Sequence, residues 1–289
     1  MRRRTHPVLA GLLGAASAAV TAASITGRGI SRGPERWRRV NHAGRPVTLL
    51  QGPAVSAGAL AGIVIRAAVD GRARTARAGV AQAVAIGGSA LVGGYDDLLG
   101  STQAKGFRGH LGALRRGVVT SGMIKIAGVG LSSLTAAVIS SGGSLRPHST
   151  GRRGADVIIN TTLIAATANL TNLLDLRPGR ASKLIIALGL PAGALPVVGA
   201  AAGALPDDLA GRSMLGDCGA NALGAGVAAA ATRLPIGVRL VALAGVVGLN
   251  LASERVSFTA YIAEHPILDA VDHWGRPATG GTSSGPGVG

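Results

Sequence analysis

The stretch VAQAVAIGGSALVGGYDDLLG, residues Val80–Gly100, joins a run of small apolar residues to two adjacent aspartates. The apolar part approaches the roughly 20 residues that a membrane-spanning helix needs. A charged side chain at the centre of a bilayer costs roughly 2.5 to 3.5 kcal/mol even on insertion scales. Asp96 and Asp97 are therefore expected at a membrane edge, and the stretch predicts a spanning helix that delivers two carboxylates to one membrane surface.

Similar apolar runs recur along the whole chain. Of its 289 residues 47% are hydrophobic and only 15% are charged, a balance too apolar for an ordinary soluble domain of this length. We predict an all-α, polytopic integral membrane protein with about 8–10 transmembrane helices. The runs are Val8–Ile25, Pro53–Val69, Val80–Gly94, Gly117–Ile139, Ala155–Leu170, Leu184–Leu205, Gly219–Ala231 and Ile236–Leu251.

Prolines divide one of these runs. Pro191 and Pro196 lie inside Leu184–Leu205, and an internal proline removes a backbone donor and breaks a helix. We therefore predict a tight hairpin of two short helices there, near Ala181–Gly193 and Leu195–Pro206. Such a hairpin brings the polar residues on its two sides back to the same end of the bundle.

The chain is predicted to have three parts. Residues 1–252 form the membrane domain, and residues 253–274 mix apolar and charged residues in a pattern typical of an amphipathic helix on the cytoplasmic face. Residues 275–289 are rich in Gly, Pro, Ser and Thr and are predicted to be disordered. A secretory signal peptide is the alternative for the first run, because MRRR precedes it; the further runs favour a retained first helix.

Charge and cysteine content exclude several other classes. The net charge is +16, but aromatic residues make up only 2% and the arginines lie between apolar runs, so membrane topology explains them better than nucleic-acid binding. The first, third and fifth loops carry more Lys and Arg than the loops between them, which places them in the cytoplasm, with the amino terminus outside. Cys218 is the single cysteine and excludes an internal disulfide and a multi-cysteine metal site.

Further polar residues lie at the ends of the runs, and one, Lys125, lies inside the fourth run. Each acid taken alone is more often a solvated helix cap, and a lysine can extend its side chain to the membrane surface. As a set, carboxylates with amide neighbours suit Mg²⁺, with Mn²⁺ as the alternative, and a basic rim suits an anionic substrate. The three-residue spacing in NLTNLLD predicts one helical face that reaches a shared cleft. These residues are Lys125, Asn169, Asn172, Asp175 and Asp217.

Three motifs resemble the signature regions of the polyprenyl-phosphate N-acetylhexosamine-1-phosphate transferases, which include phospho-N-acetylmuramoyl-pentapeptide transferase. They are YDDLLG…KGFRGHL, NLTNLLDLRPGR and MLGDCGANALGA, in the order of the family. The resemblance covers about His42 to Leu251 and indicates a divergent bacterial, actinobacterial member. A weaker match, NHAGRPVTLLQGPA, lies where the family has a Pro-Thr-x-Gly-Gly stretch.

The resemblance implies a role for each matching residue. The paired aspartates are associated with the metal and the lipid phosphate, and the aspartate of LGDCGAN with the metal. The Asn-x-x-Asn-x-x-Asp segment lies near the nucleotide sugar, and two lysines hold phosphate. The implied catalytic residues are Asp96, Asp97, Asp217 and Lys125; the substrate-binding residues are Asn169, Asn172, Asp175 and Lys105; the metal ligands are Asp217, Asp96 and Asp97.

The resemblance also implies an activity. A sugar-1-phosphate, expected to be HexNAc-1-phosphate, passes from a UDP-sugar to polyprenyl phosphate at the cytoplasmic face of the plasma membrane. The products are polyprenyl-diphosphate-sugar and UMP, for peptidoglycan or another surface glycan, and a homodimer is left open. Two departures keep a catalytically inactive scaffold as an alternative: Pro178 stands where the family has a second aspartate, and the family's histidine-rich loop has no counterpart. A secondary transporter is a weaker alternative, because transporters also have ionisable groups in their helices and broken helices at their sites.

Overall fold

The computed structural model describes residues 7–41, 44–100, 112, 115–142 and 150–277. This part of the chain is almost entirely helical. A short antiparallel hairpin, β1 (Arg38–Val40) and β2 (Pro46–Thr48), separates the first two helices. The helices are α1 (Pro7–Arg32), α2 (Gln51–Asp70), α3 (Ala73–Leu99), α4 (Ser121–Ser141), α5 (Thr150–Leu174), α6 (Arg180–Gly189), α7 (Leu195–Leu209), α8 (Gly216–Ala231), α9 (Ile236–Ser253), α10 (Phe258–Glu264) and α11 (Pro266–His273).

Six helices of the described ranges are long and apolar enough to cross a membrane. They are α1, α2, α3, α4, α9 and, from Arg152 onward, α5. The predicted all-α, polytopic fold is confirmed, and the protein is a multi-pass membrane protein. The remaining segments of the bundle, α6, α7 and α8, have 10, 15 and 16 residues, which is short for a full span.

The hairpin between α6 and α7 forms where the prolines predict it. Helix α6 ends at Gly189, four residues before the predicted end, and Gly193 adopts a left-handed conformation with φ of 69°. The N–H of Ala194 then donates to the Gly189 carbonyl at 2.9 Å and closes the turn. Pro196 lies in the first turn of α7, where its missing donor costs nothing. The two helices of the hairpin therefore begin and end at the same end of the bundle.

Helix α8 forms the centre of the bundle. Nearly all of its residues are buried, and α2, α3, α4, α5 and α6 all pack against it. Its sequence, GDCGANALGAGVAAAA, consists largely of alanine and glycine, which let neighbouring backbones approach closely. Leu223 and Val227 fill the space between these small residues. The first turn of α8, with Asp217, is thereby fixed among several helices.

The crossing of α3 and α8 depends on Gly93. A Cβ atom added at this position would lie 2.3 Å from the backbone oxygen of Asp217 and 2.8 Å from the Cα of Cys218. Backbone atoms of a buried helix cannot move aside as a flexible side chain can. The absence of a side chain at Gly93 therefore allows the aspartates at the end of α3 to meet the start of α8.

We expect Gly93→Ala to destabilise the protein by about 1–3 kcal/mol, because overpacking forces the two backbones apart. Gly87→Ala is the matched control, since it lies in the same helix with no atom within 4 Å of an added Cβ. There the better helix propensity of alanine should leave stability unchanged or raise it by up to about 1 kcal/mol. Thermal unfolding in detergent measures both, and equal effects of the two substitutions would contradict the close crossing.

The tail folds back onto the bundle as two short helices, α10 and α11, where one amphipathic helix is predicted. Arg180 donates to both carboxylate oxygens of Asp272, at 2.7 and 2.9 Å, and Lys183 donates to the Asp272 carbonyl at 2.8 Å. Burial alone would raise the pKa of Asp272, but the hydrogen bonds and charge of Arg180 and the charge of Arg276 lower it. The tail thus holds the turn before α6. Of the predicted disordered end, residues 275–289, Arg276 is described and donates to the Pro178 carbonyl at 3.1 Å, whereas residues 278–289 lie outside the described residues.

Candidate functional site

Two aspartates and a lysine from three distant segments meet at one end of the bundle. The Nζ of Lys125, in the second turn of α4, lies 2.7 Å from Asp217 Oδ2 and 3.1 Å from Asp96 Oδ2. The two carboxyl groups also lie within hydrogen-bonding reach of each other. All three side chains are largely but not fully buried. One positive charge therefore serves two carboxylates in a niche that retains access to solvent.

Asp97 points to a different set of partners from its neighbour Asp96. Its Oδ1 accepts from the N–H of Asp217 at 2.9 Å, and its Oδ2 accepts from the N–H of Cys218 at 2.8 Å. Both donors belong to the first turn of α8, where backbone N–H groups lack helical partners and favour negative charge. Asp97 therefore positions the turn that carries Asp217, and among the described residues Lys125 pairs with Asp96 and Asp217 and not with Asp97.

Asp175 supports the same turn from another side. It is 6% exposed, follows the end of α5, and its Oδ2 accepts from the Gly216 N–H at 2.8 Å. Gly216 has φ of 61°, a left-handed conformation that glycine adopts readily. Asp97 and Asp175 therefore hold three successive backbone N–H groups, those of residues 216, 217 and 218.

The predicted shared cleft of NLTNLLD is only partly correct. Asn169 is exposed and donates to Asn250 of α9 at 2.6 Å. Helical residues advance by about 100° each, so a three-residue step turns the side chain by about 60°, and Asn169 and Asp175 differ by about 120°. Asn172 lies between them and is half-buried. Of the three residues, Asp175 alone hydrogen-bonds to the segment that carries Asp217.

Sequence reasoning missed a buried acid beside Asp175. Asp208, at the end of α7, is 1% exposed and accepts from the N–H of Gly179 at 2.9 Å and from the Ser182 hydroxyl at 2.6 Å. Burial and then the charge of Asp208 raise the pKa of Asp175 well above its usual range. The available signal was the pair Asp207 and Asp208, which ends an apolar run as Asp96 and Asp97 do.

The β1–β2 hairpin lies against the same end of the bundle. Arg39 of β1 donates through its guanidinium to the backbone oxygen of Asp97. Thr48 of β2 bonds to the backbone of Arg212 and Met214, in the loop before α8. The hairpin therefore supports the segment leading to Asp217. The remaining predicted site residue, Lys105, lies outside the described residues.

The residues can be tested for their fit to the expected Mg²⁺. No group of three or more His, Cys, Asp or Glu side chains that could hold a metal is found within the described ranges. The pair Asp96 and Asp217 nevertheless converges on one point, and Mg²⁺ commonly binds one or two carboxylates while water and substrate phosphates complete its shell. The carboxylates of Asp96 and Asp217 therefore fit Mg²⁺ if the Lys125 ammonium moves from between them toward a phosphate. Asp97, the third predicted ligand, instead accepts hydrogen bonds from two backbone N–H groups.

Comparison with known proteins adds no assignment. The chain matches no family model and no curated protein. The functional interpretation therefore rests on the geometry of the site and on the three motifs.

Proposed function

We propose that the protein transfers a sugar-1-phosphate, HexNAc-1-phosphate in the favoured case, from a UDP-sugar to polyprenyl phosphate. The observation that carries this proposal is the convergence of Asp96 and Asp217 on Lys125 at one end of a membrane bundle. A lipid-linked phosphate can reach that end from the bilayer, and a nucleotide sugar can reach it from water. The proposed location is the cytoplasmic face of the plasma membrane, because basic residues are concentrated in the loops at this end.

The proposed reaction is a phosphoryl transfer. An oxygen of the lipid phosphate attacks the β-phosphorus of the UDP-sugar, the bond from that phosphorus to the bridging oxygen breaks, and UMP leaves with the electron pair. Lys125 pairs with the phosphate charge, and Asp96 and Asp217 would hold a cation beside it. Mg²⁺, when bound there, would neutralise the pyrophosphate. Direct attack and a route through an aspartyl phosphate both fit this arrangement of residues.

The turn at Pro178 keeps a carboxylate partner although the second aspartate of the resembling family is missing. The acid that the resembling family has at this position is missing, yet Asp208 lies against the same turn and accepts from the N–H of Gly179. The turn is therefore stabilised by a carboxylate from another helix. Scaffolding remains the second candidate, because Pro178 and the missing histidine-rich loop change the region where the nucleotide sugar is expected to bind.

UMP release tests the proposal. Purified protein is supplied with undecaprenyl or decaprenyl phosphate, Mg²⁺ and a panel of UDP-N-acetylhexosamines. We expect lipid-dependent UMP release that falls at least a hundredfold in Asp217→Asn, because electrostatic stabilisation of the transition state is lost. Asp156→Asn is the matched control, since Asp156 pairs with Arg239 at the other end of α5. Folded protein that releases no UMP, or undiminished release by Asp217→Asn, would overturn the proposal.

A further inference from the structure

A cavity lined by arginines and apolar residues lies beside the hairpin, apart from the aspartates. It has a volume of about 440 Å³ and lies between the β1–β2 hairpin, the end of α1 and the loop after α7. Successive side chains of a strand point to opposite faces. Arg39 reaches the backbone of Asp97, whereas its neighbour Arg38 lines this cavity together with Arg45 and Arg212. The cavity is therefore separated from the aspartate site by the hairpin itself.

The charge of this cavity is strongly unbalanced. Arg212 donates through Nε to Asp207 at 2.9 Å, so its charge is compensated. Arg38 and Arg45 are exposed, and within the described ranges neither side chain forms an ion pair with an acid. Solvent screens the repulsion between exposed guanidinium groups, and an anion bound at the cavity compensates their charge directly. The arrangement therefore has two guanidinium groups available to an anionic ligand.

The backbone around the cavity is held in place. The N–H of Asn41 donates to the Arg45 carbonyl at 2.9 Å, and the N–H of Arg45 returns to the Asn41 side chain at 3.0 Å. On the other side, the N–H of Thr48 donates to the Arg212 carbonyl at 3.2 Å. Arg38 pairs with Thr48 in the hairpin, so the backbones of all three arginines belong to one hydrogen-bonded frame.

We propose that this cavity binds the phosphate group of a phosphate ester. Guanidinium groups recognise phosphate oxygens through paired, charge-assisted hydrogen bonds. The volume falls in the usual range of ligand sites, roughly 300–1,000 Å³. Ile30 and Pro46 add an apolar wall, and Ile30 belongs to the last turns of a helix that can span the membrane. The phosphate can thus belong to a lipid headgroup at the membrane surface or to a soluble ester.

Calorimetric titration of the full-length protein in neutral detergent tests this site. The two probes are dioctanoyl phosphatidylglycerol and glycerol 1-phosphate. We expect binding to weaken about tenfold in Arg45→Gln and further in Arg38→Gln/Arg45→Gln, because each substitution removes a charge-assisted hydrogen-bonding group. Arg45→Lys keeps the charge and should retain part of the affinity. Arg255→Gln, an exposed arginine just after α9, is the matched control.

The outcomes separate the sources of the phosphate. If the protein binds the lipid at least tenfold more tightly than glycerol 1-phosphate, the ligand is a membrane lipid headgroup. If the two affinities are equal, the ligand is a soluble phosphate ester. Unchanged affinity in the folded double variant, or absence of binding of both probes to the unmodified protein, overturns the proposal. The thermal midpoint of each variant shows that it is folded. The titration contains neither a UDP-sugar nor polyprenyl phosphate, so its result is independent of the proposed transferase.

Discussion

Lys125→Met is expected to destabilise the protein by about 3–5 kcal/mol. The ammonium is the shared partner of Asp96 and Asp217, at 3.1 and 2.7 Å, and methionine keeps most of the unbranched side chain but not its charge. Removing one partner of a buried ion pair leaves an uncompensated charge, and that cost exceeds the net gain of the pair. Asp96 and Asp217 are then left facing each other without a counter-ion, and the proton that two adjacent carboxyl groups can share keeps the loss within this range.

A double-mutant cycle separates this electrostatic effect from lost packing. We expect Lys125→Met/Asp217→Asn to recover part of the stability lost in Lys125→Met, because one of the two unpaired charges is removed as well. Lys125→Arg keeps the positive charge and is expected to lose less. Thermal unfolding in detergent gives the comparison, and strictly additive losses would show that the three side chains do not act as a unit.

The same variants report on the expected Mg²⁺. In Lys125→Met the carboxylates of Asp96 and Asp217 still converge, but without the ammonium between them. Added Mg²⁺ is therefore expected to raise the thermal midpoint of Lys125→Met more than that of the unmodified protein, since a ligand that binds only the folded state stabilises it. An equal shift in both proteins would argue against a cation site formed by this pair.

Much of the bundle could be predicted from local sequence. Apolar runs locate the spanning helices because a spanning segment must be apolar along about 20 residues, and prolines locate the α6–α7 hairpin because they interrupt helical hydrogen bonding. The cost of burying charge places Asp96, Asp97 and Asp217 at helix ends. In the structure Lys125 also lies near a helix end, because α4 begins at Ser121, four residues after the apolar run begins.

The directions of individual side chains could not be predicted in this way. Asp96 and Asp97 are adjacent, so their side chains differ by about 100° around the helix, and local sequence does not show which one faces α4 and which faces α8. The contacts of Asp208 with Gly179 and of Arg180 with Asp272 join residues far apart in the chain. Such pairs depend on how the helices pack, which no local pattern encodes.

Asp97→Asn and Asp96→Asn are expected to differ sharply although the two residues are neighbours. Asparagine at 97 keeps the size of the side chain. In the structure the backbone N–H groups of Asp217 and Cys218 both donate to the Asp97 carboxylate, and the NH₂ group of asparagine would face one of these two donors. One backbone N–H then loses its acceptor, and the other donates to a neutral oxygen in place of a charged one. Together these changes should lower the free energy of unfolding by about 1.5–3 kcal/mol. The start of α8 should loosen, with Asp217 displaced from Lys125.

Asp96→Asn leaves a balanced pair, because Lys125 still faces Asp217 at 2.7 Å. Its cost in stability should stay below about 1 kcal/mol, since one of two carboxylates competing for a single ammonium is neutralised. Both variants should lose UMP release if the proposed transferase is correct, so thermal unfolding, and not activity, distinguishes their roles. Equal destabilisation, or a larger effect at Asp96, would mean that Asp97 does not position the first turn of α8. The larger effect at Asp97 would instead show that its carboxylate holds that turn while Asp96 and Asp217 remain available to a cation or a phosphate.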